Sequence, residues 1–129
     1  MKKLFFLTTF IILSYAVKAQ QNWLTSFGGP TTDEVLDATT DQNGDILMTG
    51  YFAGANYYGT TLLQSFGSSD IVLIKTTSAG DIIWAINAGG PGADRANSIT
   101  TDNLGNSYIT GYFNTTAAFG SITISGQSQ

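Results

Sequence analysis

The sequence predicts an all-β fold made of repeated units of four antiparallel strands, and three observations support it. First, residues 23–59 and 84–120 align without a gap at an offset of 61 residues. Second, the apolar runs are short and are separated by Gly, Asn, Asp and Ser, which is typical of strands joined by tight turns. Third, no segment has a sustained helical periodicity. A fixed period of this kind indicates units that bury their apolar faces by stacking on each other.

The two copies keep the same residues at the positions that punctuate the chain. The identical pairs are Trp23 and Trp84, Gly28-Gly29-Pro30 and Gly89-Gly90-Pro91, Asp33 and Asp94, Thr39-Thr40-Asp41 and Thr100-Thr101-Asp102, Gly44 and Gly105, Thr49-Gly50-Tyr51-Phe52 and Thr110-Gly111-Tyr112-Phe113, and Gly59 and Gly120. Counted from one Trp to the next, unit one covers residues 23–83 and partial unit two covers residues 84–129.

Within unit one the pattern predicts four strands, at residues 34–40, 46–52, 70–76 and 82–87. A short extra strand is expected at residues 58–63, in the looser segment between the second and third strands. Four antiparallel strands with one longer connection describe a blade of a β-propeller. We therefore expect one full blade and most of a second.

The first 19 residues have the order of a secretory signal peptide. Lys2 and Lys3 form a basic start, an apolar run follows, and small residues precede the expected cleavage after Ala19. The apolar run is shorter than the roughly 20 residues that span a bilayer, so we expect no stable membrane span after cleavage. Residues 20–129 would then be the propeller repeat region of a protein that is secreted or held at the cell surface.

The composition argues against several classes of function. The chain has no His and no Cys, so it lacks the residues of a Ser-His-Asp or Cys-His arrangement, of the usual zinc sites and of disulfides. After signal cleavage Lys75 and Arg95 are the only cationic side chains against nine acidic ones, which argues against nucleic acid as a partner. The nearest carboxylate pair for glycoside hydrolysis is Asp33 with Glu34 or Asp37. Adjacent side chains on a strand point to opposite faces, so Asp33 and Glu34 would not act together on one substrate. We therefore expect no catalysis by this chain.

Two turns carry oxygen groups of the kind that bind calcium. Asp41, Asn43 and Asp45 lie in one repeat, and Asp102 lies at the matching place in the other. The same residue types form tight turns, because Asp accepts hydrogen bonds from its own backbone and the following Gly adopts a positive φ. We expect structural turns and no cofactor, with calcium as the alternative.

Aromatic residues recur at equal positions and are expected in the core. They are Trp23, Trp84, Tyr51, Phe52, Tyr112 and Phe113, and a sugar-stacking surface is the alternative. Tyr57 and Tyr58 lie in the least repeated segment, so they are the aromatic residues that we expect to contact a ligand. Gly50 and Gly111 lie inside a strand, where we expect the missing side chain to make room for a neighbouring blade.

The ordered motifs resemble the bacterial β-propeller repeat called the SBBP repeat. These motifs are Trp-(x)4-Gly-Gly-Pro, Asp-x-x-Gly-[Asp/Asn], Thr-Gly-Tyr-Phe, Ser-Asp-Ile-Val-Leu-Ile-Lys and Gly-Asp-Ile-Ile-Trp, and they cover nearly all of the mature chain. The resemblance implies a scaffold or binding module of a secreted or surface protein, with an unknown protein or a glycan as its partner.

The resemblance also implies a larger ring than this sequence provides, because propellers close with about four to eight blades. We therefore expect a fragment of a longer protein, or a short protein that completes a ring by self-association through its open blade edge. The alternative functions are a glycan-binding, lectin-like module and a part of a propeller hydrolase whose active site lies outside this chain.

Overall fold

The computed structural model describes residues 25–126, and every regular element in this range is a strand. In chain order the strands are β1 (Asp33–Thr40), β2 (Ile46–Phe52), β3 (Ala55–Tyr58), β4 (Thr61–Gln64), β5 (Asp70–Thr76), β6 (Ile82–Ala88), β7 (Arg95–Thr101), β8 (Ser107–Tyr112), β9 (Thr116–Phe119) and β10 (Ile122–Ser125). The all-β prediction is thereby confirmed. No helix in residues 25–126 is long and apolar enough to cross a membrane. The predicted signal peptide and Trp23 lie outside the described residues.

The first sheet has four antiparallel strands in the order β1-β2-β5-β6. Its strands agree with the four predicted ones to within a residue at each end. β2 and β5 lie in its centre, where Leu47, Val72 and Ile74 are buried. The four-stranded blade expected from the repeat is therefore present.

The connection between β2 and β5 differs from the prediction of one short strand at residues 58–63. It is a hairpin of β3 and β4, in which Tyr58 pairs with Thr61. Gly59 has a φ of 63° and turns the chain in the middle of the predicted strand. The prediction was wrong because a turn glycine was included in an extended run.

The hydrophobic core lies between one face of the first sheet and this hairpin. Its buried residues are Phe52, Tyr58, Leu63, Val72, Ile74 and Ala85, with Phe27, Met48 and Ile82 packed against them. The rings of Phe52 and Tyr58 meet edge to face, with centroids 6.0 Å apart. Burying such a side chain stabilises the fold by roughly 1.5–3 kcal/mol, so this contact holds the hairpin against the sheet.

The second repeat reproduces the first part of the first one. β7 and β8 pair like β1 and β2, and β9 and β10 pair like β3 and β4. Both β1–β2 and β7–β8 contain a β-bulge at the same place, between Val35 and Asp37 and between Ala96 and Ser98. Four pairs of residues at equal positions share a positive φ: Gly28 and Gly89, Gly44 and Gly105, Gly54 and Thr115, and Gly59 and Gly120. The two repeats therefore share their backbone conformation as well as their sequence pattern.

The two repeats stack with equivalent residues in contact. Ser98 Oγ donates a hydrogen bond to Asp37 Oδ2 at 2.6 Å, and Ser98 is the residue that matches Asp37 in the repeat. Thr101 Oγ1 donates to the carbonyl of Thr40, its own counterpart, at 3.1 Å. The second repeat thus lies on β1 displaced by one unit, as blades do in a propeller.

The boundary of the sheet differs from the boundary of the sequence repeat. Trp84, which opens the second sequence unit, lies inside β6 and pairs with Lys75 of β5. The first sheet therefore runs from Asp33 to Ala88 and takes its last strand from the second sequence unit. β6 thus belongs to the first sheet in the structure and mostly to the second unit in the sequence.

The glycines inside β2 and β8 are explained by the bulge rather than by a neighbouring blade. A β-carbon at Gly50 would collide with the backbone of Glu34 and Val35, and one at Gly111 would collide with the backbone of Arg95 and Ala96. The partner strand of the same sheet bulges toward the glycine in each case. The expected role as a spacer between blades is thus corrected to a role within one sheet.

Thr115 offers a direct test of the equivalence of the two repeats. It has a φ of 66°, whereas its counterpart with the same conformation is Gly54, with a φ of 73°. A β-branched residue is strained in this region by about 1–2 kcal/mol, and Asn tolerates it better. We expect Thr115→Asn to raise the free energy of unfolding by about 1 kcal/mol, measured by urea denaturation.

The matched control for this change is Thr123→Asn, on an exposed strand position without a positive φ. Thr123→Asn is expected to give no gain in stability. The reverse change, Gly54→Thr, is expected to destabilise the chain. Equal effects of Thr115→Asn and Thr123→Asn would contradict the strained conformation.

Candidate functional site

Each Gly-Gly-Pro segment forms a loop that is closed by the aspartate three residues after its proline. Gly29 N donates to Asp33 Oδ2 at 2.6 Å, and Gly90 N donates to Asp94 Oδ2 at 2.6 Å. The other oxygen of each carboxylate also accepts a hydrogen bond, in the first repeat from Asn56 Nδ2 of β3 at 2.7 Å and in the second from Asn114 N, just before β9, at 2.8 Å. These loops are bends, and the aspartates stabilise them by hydrogen bonds to the backbone.

The carboxylates that were considered for glycoside hydrolysis each have a different partner. Asp33 closes its loop, and Glu34 Oε2 accepts from the hydroxyl of Tyr51 at 2.8 Å. Asp37 accepts from Ser98 Oγ and from the amide of Ile99, and these bonds hold the pKa of Asp37 below its ordinary value. All three therefore have structural partners, two of them in neighbouring strands.

The turn between β1 and β2 brings the predicted residues Asp41, Asn43 and Asp45 together around a lysine. Asp41 Oδ1 accepts from the amides of Asn43 and Asp45 at 2.8 and 3.1 Å. Lys75 Nζ lies 2.7 Å from Asp41 Oδ2 and 3.1 Å from Asp45 Oδ2. The hydrogen bond to Asp41 raises the pKa of Lys75. A calcium ion at this turn would have to displace the ammonium group.

The matching turn in the second repeat reaches the same shape with different partners. Asp102 Oδ1 accepts from the amides of Leu104 and Asn106, and Oδ2 accepts from Asn106 Nδ2 and from the hydroxyl of Tyr108. These donors, the Asn106 side chain first, lower the pKa of Asp102 to about 2. Among residues 25–126 no group of three acidic side chains is arranged to hold a metal ion.

The lowered pKa of Asp102 predicts a specific acid sensitivity. A depressed folded-state pKa contributes stability above the unfolded value of about 3.9, and this contribution is lost as the pH falls through about 2. We expect Asp102→Asn to lower the denaturant midpoint near neutral pH and to lose this effect toward pH 2. Asp81→Asn, at an exposed turn residue, is the control and should change the midpoint little at any pH. An Asp102→Asn effect that does not depend on pH would refute the assignment.

The aromatic residues separate according to the strand face that they occupy. Phe52 is fully buried, as expected, whereas its neighbour Tyr51 points to the other face and carries the guanidinium of Arg95 5.0 Å from its ring centre. Tyr112, the counterpart of Tyr51, is 49% exposed, so its predicted place in the core was wrong. Trp84 and Phe113 are half-buried.

Tyr57 and Tyr58 have opposite environments, because they are adjacent on β3. Tyr57 is 64% exposed and pairs with the exposed Leu62. Tyr58 is 2% exposed, and burial raises the pKa of its hydroxyl to about 12. Of the two predicted ligand contacts, Tyr57 is thus free on the surface and Tyr58 is part of the core.

A pocket of about 460 Å³ opens beside the hairpin. Three segments form it: residues 25–27, the hairpin turn at 58–61 and the β5–β6 turn at 80–83. The β5–β6 turn is fixed by four hydrogen bonds: Thr77 N donates to the Asp81 carbonyl, Gly80 N donates to the Thr77 carbonyl, and the amides of Ala79 and Asp81 donate to Thr77 Oγ1. The side of the pocket that the β5–β6 turn forms is therefore held by hydrogen bonds.

The lining of this pocket is rich in hydroxyl groups. They come from Thr25, Ser26, Thr60 and Thr61, and Asp81 contributes one carboxylate, whereas Tyr58, which also borders the pocket, is buried in the core. Phe27, Ile82 and Ile83 supply apolar surface, and no Lys or Arg of residues 25–126 lines the pocket. Hydroxyls both donate and accept hydrogen bonds, so this lining suits a neutral polar ligand better than an anion. No sequence pattern pointed to Asp81, because the three segments meet only in the folded chain.

The comparison with protein families identifies the repeat. Residues 83–114 match the family model of the SBBP β-propeller repeat. This part of the chain is similar to an SBBP β-propeller repeat. The match starts in β6 and passes through β7 and β8, so it includes the last strand of the first sheet and the first two of the second repeat. The SBBP resemblance expected from the motifs is thereby confirmed. No curated protein matches the chain.

Proposed function

We propose that this chain is an SBBP repeat scaffold at the exterior of the cell that binds a ligand in the pocket beside the β3–β4 hairpin and has no catalysis of its own. The observation that carries the proposal is the pocket, which has the size of a small-molecule site and lies next to hydrogen-bonded turns. The signal-like residues 1–19 support export. The structural partners of Asp33, Glu34 and Asp37 support a binding role over hydrolysis.

A glycan is the ligand class that the lining favours. Sugars present several hydroxyl groups and an apolar ring face, and the pocket offers hydroxyls, one carboxylate and the apolar side chains of Phe27 and Ile82. A carboxylate such as Asp81 accepts strong hydrogen bonds from neutral hydroxyl groups. The same carboxylate repels anionic ligands, so uncharged glycans are preferred over sulfated or uronic ones.

This proposal is tested by measuring glycan binding of the secreted chain. We expect saturable binding to neutral oligosaccharides on a glycan array and in titration calorimetry. Asp81→Asn and Thr60→Val should each weaken the affinity about tenfold, which corresponds to roughly 1.4 kcal/mol, the scale of one hydrogen bond. A protein ligand would instead be indicated by no response on the glycan array together with specific retention of a protein that Asp81→Asn abolishes.

The control is Tyr57→Ala, because Tyr57 is exposed on the hairpin but does not line the pocket. We expect its affinity to equal that of the unchanged chain. If Tyr57→Ala abolishes binding while Asp81→Asn does not, the ligand binds the outer face of the hairpin and the pocket assignment is wrong. Binding that no pocket variant alters would also overturn it.

A further inference from the structure

Two buried carboxylates meet where the first sheet joins the second repeat. Asp70, the first residue of β5, and Asp94, just before β7, are both fully buried. Both point at Gly89, where a β-carbon would lie 2.9 Å from Asp70 Oδ1 and 2.7 Å from Asp94 Oδ2. Gly89 has a φ of 155°, and any side chain there would collide with both groups.

The two carboxylates differ in their hydrogen bonds. Asp94 accepts from the amides of Gly90 and Asn114, one on each oxygen, at 2.6 and 2.8 Å. Asp70 Oδ2 accepts from Phe66 N at 3.0 Å, but its Oδ1 is buried and has no hydrogen-bond partner. Both oxygens of Asp94 thus have an amide donor, whereas the unpaired buried oxygen disfavours the ionised form of Asp70.

No positive charge compensates this pair within the described chain. Arg95 follows Asp94, but its guanidinium lies over the ring of Tyr51. Lys75, near the other end of β5, is held by Asp41 and Asp45. Burial is the largest influence and raises the pKa of Asp70, and the negative charge of Asp94 adds to this; the polar groups of Phe66, Gly67 and Asn87 lower the pKa by less, so it stays raised. A buried carboxylate of this kind becomes neutral by binding a proton or binds a cation.

The geometry favours the proton over a metal ion. Three of the four carboxylate oxygens already accept a hydrogen bond from a backbone amide, which leaves Asp70 Oδ1 alone. Calcium takes six to eight oxygen ligands and magnesium needs six. Asp70 and Asp94 are two acidic side chains, and among residues 25–126 no group of three is arranged to hold a metal ion, whereas one oxygen is enough for a proton.

The carboxylates lie within the contacts that hold the two repeats together. The amide and the hydroxyl of Ser68 both donate to the carbonyl of Gly92, at 3.0 and 3.1 Å. The amide of Asp94 donates to the carbonyl of Ser69 at 2.9 Å. A second negative charge at Asp70 would therefore act directly on this joint between the first sheet and the second repeat.

We propose that Asp70 binds a proton in the folded protein under conditions where surface aspartates are ionised, and that this proton keeps the second repeat docked on the first sheet. When the proton is lost at higher pH, Asp70 and Asp94 repel each other and the joint loosens. An exported protein that meets different pH values would thus change the coupling between its repeats.

The sign of the pH dependence follows from the raised pKa of Asp70. The folded state holds one proton more than the unfolded state between the ordinary pKa of about 3.9 and the folded value, so stability falls as the pH rises through this range. The unfolding equilibrium constant should rise about tenfold for each pH unit in the range. Below the ordinary value the contribution is fully present.

The experiment compares the unchanged chain with Asp70→Asn and with Asp81→Asn by denaturant unfolding at pH values from the ordinary Asp pKa of about 3.9 upward. Asn resembles the protonated Asp in shape, so Asp70→Asn should remove the decline in stability, whereas Asp81→Asn should retain it. A decline that is unchanged in Asp70→Asn would overturn the proposal. Stabilisation of the unchanged chain by calcium that Asp70→Asn abolishes would also overturn it, in favour of a metal ion.

A second measurement does not depend on a variant. The carbon-13 shift of the Asp70 carboxyl group in the unchanged chain should titrate with a midpoint above the ordinary Asp value of about 3.9, and a midpoint at or below that value would refute the proposal. In hydrogen exchange the amides of Ser68 and Asp94 should lose protection at higher pH more than that of Val72 in the sheet centre. Equal loss at all three would show that the joint is not the affected element.

Discussion

The docking of the second repeat on β1 is the contact on which the rest of the architecture depends. A sheet has two faces, and the first sheet covers one of them with its own hairpin and leaves the other to a neighbour. Asp37 and Thr40 meet their counterparts Ser98 and Thr101 there. Because equivalent residues contact each other, the same position of the repeat contributes a side chain or a backbone group to each side of the interface.

This dependence explains why equivalent residues differ in exposure. Tyr51 is covered by Arg95 of the second repeat, whereas Tyr112 has no such cover among the described residues and is 49% exposed. Asp94 lies next to Asp70 and is fully buried, while Asp33 is only half-buried. The environment of a residue in a repeat protein is thus decided by the neighbouring unit as much as by its own sequence.

The sequence predicts the features that depend on local chemistry. The strands, the Asp-to-Gly turns and the repeat follow from alternation, turn residues and spacing, and they agree with the structure. The hairpin was missed because Gly59 ends a run that otherwise suits a strand. The role of Gly50 depends on a bulge in the opposite strand, and the pairing of Asp70 with Asp94 depends on the docking of two units. Such features arise from pairing partners, which spacing alone does not reveal.

The pocket and the buried carboxylates occupy separate parts of the chain, and this separation has a consequence for function. The pocket is formed by residues 25–27, the hairpin turn and the β5–β6 turn. Asp70 and Asp94 lie where the first sheet meets the second repeat, in contacts that use none of the pocket residues. Ionisation of Asp70 would therefore weaken the contact between neighbouring repeats and leave the residues that line the pocket in place. In a scaffold of repeats, the arrangement of binding sites relative to each other can then change without a change in the sites.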